Sequence, residues 1–119
     1  MKVCYGKIVD KLTSEVFAND IKYLGTWDTG AMLCVMDNKK AEEINLIPSK
    51  KVDCATPMGV FKTKIYKIDL KIGDLSFENI EVLGGNMTDD FLIGMNVINK
   101  GKMTIENEKE TILSFELYN

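Results

Sequence analysis

Asp28 is the residue of this chain best placed to do chemistry. It stands in Trp27-Asp28-Thr29-Gly30-Ala31, an acidic side chain set between apolar stretches. A carboxylate in such surroundings is costly unless it is paired or hydrogen-bonded. Gly30 lets the backbone turn tightly and approach a ligand, and the Thr29 hydroxyl can lock the turn. The bland alternative is a plain Asp-Thr-Gly turn joining two strands, because Asp and Gly are ordinary turn residues.

Absences narrow the chemistry further. The chain has no histidine. Ser-His-Asp and Cys-His catalysis both need an imidazole base, so neither can be assembled within it. There is no Cys-x-x-Cys pair for a zinc site and no glycine-rich phosphate loop. No metal or cofactor is expected. What remains for catalysis is carboxylates, lysines or nothing, and no Lys sits in an apolar run long enough to suggest a Schiff base. Asp89-Asp90 could be a second acidic pair. Adjacent residues on a strand point opposite ways, so a solvated loop is the preferred reading.

The elements that must position Asp28 read mostly as strands. Val3 to Asp10 is β-branched and aromatic, Lys11 to Ser14 reads as a turn, and Glu15 to Leu24 as a second strand. Gly25 suggests a bend or bulge. Ala31 to Met36 is a continuous apolar run, expected to be a strand buried on both faces. Asp37 is a candidate N-cap for a helix over Lys40 to Leu46, with Ala41, Ile44 and Ile47 on one face and Pro48 ending it. Lys51–Thr56 and Val60–Ile72 read as strands joined by Thr56-Pro57-Met58-Gly59. Within the second, Tyr66, Ile68, Leu70 and Ile72 alternate with Lys67, Asp69 and Lys71, so one face is dry and one wet. Gly73-Asp74 is a two-residue hairpin signal leading into Leu75–Leu83. Gly84-Gly85-Asn86 reads as a loop, Phe91-Leu92-Ile93 as a short strand, and Gly94 to Asn99 as one or two helical turns. Lys102–Glu106 and Thr111–Leu117 form a closing hairpin. Many short strands with close turn signals predict an all-β sandwich or partly closed barrel with one or two short helices.

At 119 residues, with 45% apolar and 28% charged side chains, the chain suits a single domain over residues 1–119. Net charge is −3, and every basic residue is Lys. Without Arg the bidentate fork for phosphate or guanine is missing, so no nucleic-acid partner is expected. No apolar run approaches the roughly 20 residues of a membrane span, and Met1 to Asp10 lacks a leader pattern. No membrane partner and a cytoplasmic location are therefore the expectation. Cys4, Cys34 and Cys54 are odd in number and widely spaced, which suits reduced, buried thiols. The methionines read as core or gap-filling residues, except Met58 at its exposed turn.

The run Leu24-Gly25-Thr26-Trp27-Asp28-Thr29-Gly30-Ala31 resembles the active-site turn of retropepsin-like aspartic peptidases. Phe91-Leu92-Ile93-Gly94-Met95-Asn96-Val97-Ile98 resembles their second signature: an apolar pair, Gly, any residue, Asn or Asp, then an apolar pair. A short helix and a Gly-tipped hairpin lie between them, in the family's order. The resemblance covers roughly Leu24 to Ile105, and Trp27 before the Asp is closer to bacterial and cellular members than to viral ones.

The resemblance implies a closed β-barrel of the acid-protease type and an active site built by two identical subunits. Peptide hydrolysis without a metal or covalent intermediate needs one carboxylate to accept a proton from water and another to donate one. One chain offers one well-placed Asp, and a twofold axis supplies its twin. Two such carboxylates share a proton and titrate as a pair. By resemblance, Asp28, Thr29 and Gly30 are the catalytic turn of a homodimer acting on an extended peptide. Thr29 would hydrogen-bond across the dimer and Gly30 would meet the substrate main chain. Thr56 to Val60 would form a flap, with Met58 and Gly59 nearest the substrate. Ala31, Thr88, Asp90 and Leu92 are candidates for side-chain pockets. Viral members place an acidic residue and an Arg where this chain has Met32 and Met95, so apolar packing is expected in place of that ion pair. A non-catalytic peptide-binding or dimerisation module on the same fold is the alternative.

Overall fold

The computed structural model describes residues 2–5 and 11–118, with the side chains of residues 2–5 and of Thr56 outside the described set. The elements are β1 (Lys2–Tyr5), β2 (Thr13–Ala18), β3 (Ile21–Trp27), β4 (Cys34–Asp37), α1 (Asn38–Glu43), β5 (Lys50–Thr56), β6 (Gly59–Ile72), β7 (Leu75–Gly85), β8 (Phe91–Ile93), α2 (Met95–Ile98), β9 (Gly101–Asn107) and β10 (Thr111–Leu117).

Two sheets result. β1, β10 and β9 form a small antiparallel sheet from the two ends of the chain. The larger sheet runs β2-β3-β8-β4-β7-β6-β5, and β2 also pairs with β6. That extra pairing closes six strands into a barrel and leaves β5 outside it, paired among the described residues with β6 alone. The expected closed, mostly β fold is the one adopted.

The alternation read from sequence explains the longest hairpin. Tyr66, Ile68, Leu70 and Ile72 are buried, while Lys67, Asp69 and Lys71 are exposed. Each such apolar side chain contributes about 1.5–3 kcal/mol on leaving water. Gly73, at φ 57°, makes the tight turn into β7. A register shift between Ile68 and Leu70 marks the bulge of the sheet.

Several local expectations need correction. Gly25 makes no bulge; it pairs within β3, where a Cβ would lie 2.6 Å from the Val16 side chain. The apolar run from Ala31 becomes strand only at Cys34, and Met32 is 84% exposed because the intervening residues complete a turn. Gly84 and Gly85 open no loop; they continue β7 beside Met36 and Asp37 of β4. Lys11 bends, but Thr13 and Ser14 already belong to β2. β1 accounts for Val3 to Tyr5 of the first expected strand, and the rest of it lies outside the described residues. Helix α1 sits earlier than expected and ends at Glu43, with Asn45 at φ 57° turning the chain before Pro48. Ala41 is buried as expected, but Ile47 falls beyond the helix and is 86% exposed. Asp37 occupies the N-cap position without a side-chain cap; its Oδ1 accepts from Met87 N instead. Among the described residues no helix is long and apolar enough to cross a membrane.

Candidate active site

β3 delivers Asp28 to the end of the barrel, and β8 lies parallel beside it, with Trp27 in register with Ile93. The stem of the turn is pinned below. Trp27 is buried, its Nε1 donates to Ser14 Oγ at 2.8 Å, and its ring lies 5.4 Å from that of Phe115. The closing hairpin thus braces the strand that carries the acid.

Above the stem the backbone leaves β3 and turns. Asp28 N donates to Ile93 O at 2.9 Å, and Ala31 N donates to Asp28 O at 3.3 Å. Gly30 N donates to Asp28 Oδ1 at 2.9 Å, the Asx-type bond that Asp favours in turns. Among the described residues Oδ2 accepts no hydrogen bond. Asp28 is half-buried while Thr29 and Gly30 are exposed, so a carboxylate oxygen held in a set direction stays open to a ligand.

The second signature is bound to this turn as a clasp. Met95 N donates to Ala31 O at 2.7 Å, and Asn96 N to Met32 O at 3.0 Å. Asn96 Oδ1 accepts from Cys34 N at 2.8 Å, and its Nδ2 donates to Glu81 O at 2.9 Å, joining β4, α2 and β7. Gly94 N donates to Cys34 Sγ at 3.4 Å. A Cβ at Gly94 would sit 2.4 Å from Leu33 O, so only glycine permits this backbone approach. Burial pushes the Cys34 thiol up to about 11, which keeps it protonated and unreactive as a nucleophile.

Residues 15–97 match the model of a family described as Aspartyl protease. The chain belongs to the aspartyl protease family. Solved structures agree at the level of the fold. A retropepsin-like aspartic protease from Rickettsia conorii is similar, with 22% identity over 95% of this chain and 90% of that one, at a TM-score of 0.69. The protease of simian foamy virus (mac) is 19% identical over 74% of this chain and 92% of its own, at 0.59. EIAV protease complexed with the inhibitor HBY-793 is 16% identical over 77% and 88%, at 0.64. No curated protein sequence matches the chain.

Within this member of the aspartyl protease family the sequence-derived candidates fall into two groups. Asp28, Thr29, Gly30 and Ala31 form the turn, and Leu92 stands beside it on β8, in register with Thr26 and Val35. Phe91 and Ile93 are buried, so Leu92 points away from the core. Asp90 is half-buried and its carbonyl accepts from Asp37 N at 3.2 Å. Thr88 is exposed in the preceding bend. Asp89 pairs with Lys11 at 3.3 Å, so the adjacent acids do not act as one unit.

The second group is the β5–β6 hairpin. Met58 is 87% and Val60 69% exposed, and Gly59 has φ 128° at the tip. The Thr56 side chain lies outside the described residues. Among the described residues no cluster of acidic, Cys or His side chains could hold a metal ion. Sequence reasoning missed Ser14 and the double role of Asn96. Asn96 was visible as a signature position; nothing local marks Ser14.

Proposed function

We propose that this protein is an aspartic endopeptidase that works as a homodimer on extended peptides in the cytoplasm. Each copy contributes one Asp28, and the two carboxylates hold a water between them. One takes a proton from that water as its oxygen attacks the peptide carbonyl carbon. The other gives a proton to the carbonyl oxygen; as the C–N bond breaks, the first passes the water's proton to the leaving nitrogen and the second takes one back from a hydroxyl of the diol. One proton shared between the two side chains leaves the pair a single negative charge, so that one serves as base and the other as acid.

The observation that carries this reading is the asymmetry of the Asp28 carboxylate. Oδ1 accepts from Gly30 N, while Oδ2 accepts from none of the described residues, on a half-exposed turn that the second signature clasps. Thr29 then bonds across the twofold axis, and Gly30 meets the substrate main chain. Thr56 to Val60 close over the peptide, with Met58 and Gly59 nearest it. Ala31, Thr88, Asp90 and Leu92 shape the pockets. The exposed Met32 takes an apolar place where viral members carry an acid. Cys34 and Cys54, both free thiols, fit a reducing compartment.

Asp28→Asn is the direct test. Asn keeps an Oδ1 acceptor for Gly30 N, so the turn survives and only the acid is lost. Peptide cleavage at acidic to neutral pH should fall by about 10³-fold. Equal cleavage by both proteins sinks the assignment, and binding without cleavage by the wild type leaves the non-catalytic module. A mass in solution that stays monomeric even with a statine peptide rules out the shared site.

A further inference from the structure

The sequence marks Lys50-Lys51 and Lys62-Thr63-Lys64 as wet strand faces. The fold does more with them. β5 and β6 bring Lys51 directly opposite Lys64, and Asp53 opposite Lys62. With the period of two along each strand, Lys51, Lys62 and Lys64 share one face. They line a groove of about 310 Å³ between the base of the hairpin and α1, whose wall carries Asn38 and Glu42. Lys50 lies on the other face and pairs with Glu81 at 3.4 Å.

Like charges directly opposite each other on a sheet are unfavourable. Glu42 lines the same groove and Asp53 lies opposite Lys62, so three lysines stand against two carboxylates. Yet among the described residues none of the three lysines forms an ion pair, and the ion pairs present are Lys11–Asp89 and Lys50–Glu81. In a chain of net charge −3, the groove keeps a net positive charge, and among the described residues none of its lysines is held in an ion pair. β5 is also the end strand of its sheet, so one row of its main-chain donors and acceptors is unpaired within the sheet. Such an edge accepts an extended polypeptide.

We propose that this groove docks an acidic, extended segment of the polypeptide substrate, away from the bond that is cut. The proposal rests on the peptidase reading for the word substrate; the docking itself does not. A nucleic acid fits less well, because the groove has neither Arg for phosphate nor an aromatic ring for base stacking. The surface lies at the foot of the hairpin whose tip faces the substrate, so one polypeptide can engage both.

The probe is fluorescein-labelled octaglutamate, titrated into the full-length Asp28→Asn protein. Saturable binding is expected at about 50 mM salt, with clear weakening at about 500 mM. The combined change Lys51→Gln, Lys62→Gln and Lys64→Gln should weaken it about tenfold, while Lys50→Gln leaves it unchanged. The triple variant should melt no lower than its parent, since the Lys51–Lys64 repulsion is relieved. In otherwise wild-type protein, the triple change should leave kcat/KM for a short neutral peptide unaltered. For the same peptide bearing a Glu-rich extension it should raise KM about tenfold at constant kcat. Absent octaglutamate binding, binding undiminished in the triple variant, or tighter binding of oligothymidylate each overturns the groove. Octaglutamate binding without cleavage by the wild type supports the groove and removes the peptidase reading instead.

Discussion

An added Cβ at Gly94 would lie 2.4 Å from the Leu33 carbonyl oxygen, whereas at Gly59 nothing comes within 4 Å. The first glycine sits in the clasp that holds Asp28; the second sits at the tip of the β5–β6 hairpin. In the clasp, main-chain groups of both signatures, the Asn96 amide and the Cys34 sulfur are engaged with one another. At the tip, Met58 and Val60 offer apolar surface to solvent. On the proposed function, the contrast separates two tasks. A reacting carboxylate must be held to a few tenths of an ångström. A surface that closes on varied peptides needs apolar area and room.

Substitutions at the two glycines sharpen the contrast most. Gly94→Ala should cost about 3 kcal/mol, since the obstacle is backbone that cannot step aside. Gly59→Ala should cost about 1 kcal/mol, arising from its φ of 128° alone. Chemical denaturation measures both, and equal losses would erase the distinction.

Next in size is a pH effect confined to the clasp. The Cys34 thiol is raised from 9.0 to about 11, chiefly by burial. Its contribution is therefore constant below pH 9 and is lost as pH rises towards 11, because the unfolded chain releases that proton first. Over that window about 2–3 kcal/mol should disappear. Tyr23 and Tyr66 are also raised, mainly by burial, so the thiol is isolated by comparing wild type with Cys34→Ala. Parallel pH profiles for the two proteins would refute the assignment.

Trp27→Phe keeps most of the ring but removes the indole donor, leaving the buried Ser14 Oγ without it. A loss of about 1–2 kcal/mol is expected in thermal melts, with partial recovery on adding Ser14→Ala. The smallest stability effect belongs to the tip. Met58→Ala should change unfolding by under about 0.5 kcal/mol while raising KM for peptides about threefold. A stability loss comparable to that of Trp27→Phe would mean the tip is packed after all.

Much of this was legible in the residues. The alternation from Tyr66 to Ile72, the Gly73 turn and the Phe91–Ile93 strand came through because local pattern and final environment agree. The failures share a cause. Met32 and Ile47 are apolar, so their type alone suggests burial, but each falls just outside its strand or helix and faces water. Gly84 and Gly85 read as a loop because glycine usually marks one. Here their missing side chains make space for Asn38 and Val35, a contact that only the β4–β7 pairing creates.

The residue types alone determined which chemistry the chain could host. No imidazole exists, and one acid sits in a tight turn between apolar strands. Those are facts of composition and order, and local sterics suffice to read them. The tertiary structure alone decided that β2 meets β6 to close the barrel, that Gly94 backs onto Leu33, and that Lys51 faces Lys64. The first two join segments far apart in the chain, and the third rests on the register of one hairpin. Such meetings follow from which strands pair and in what register, and a local pattern carries no information about either.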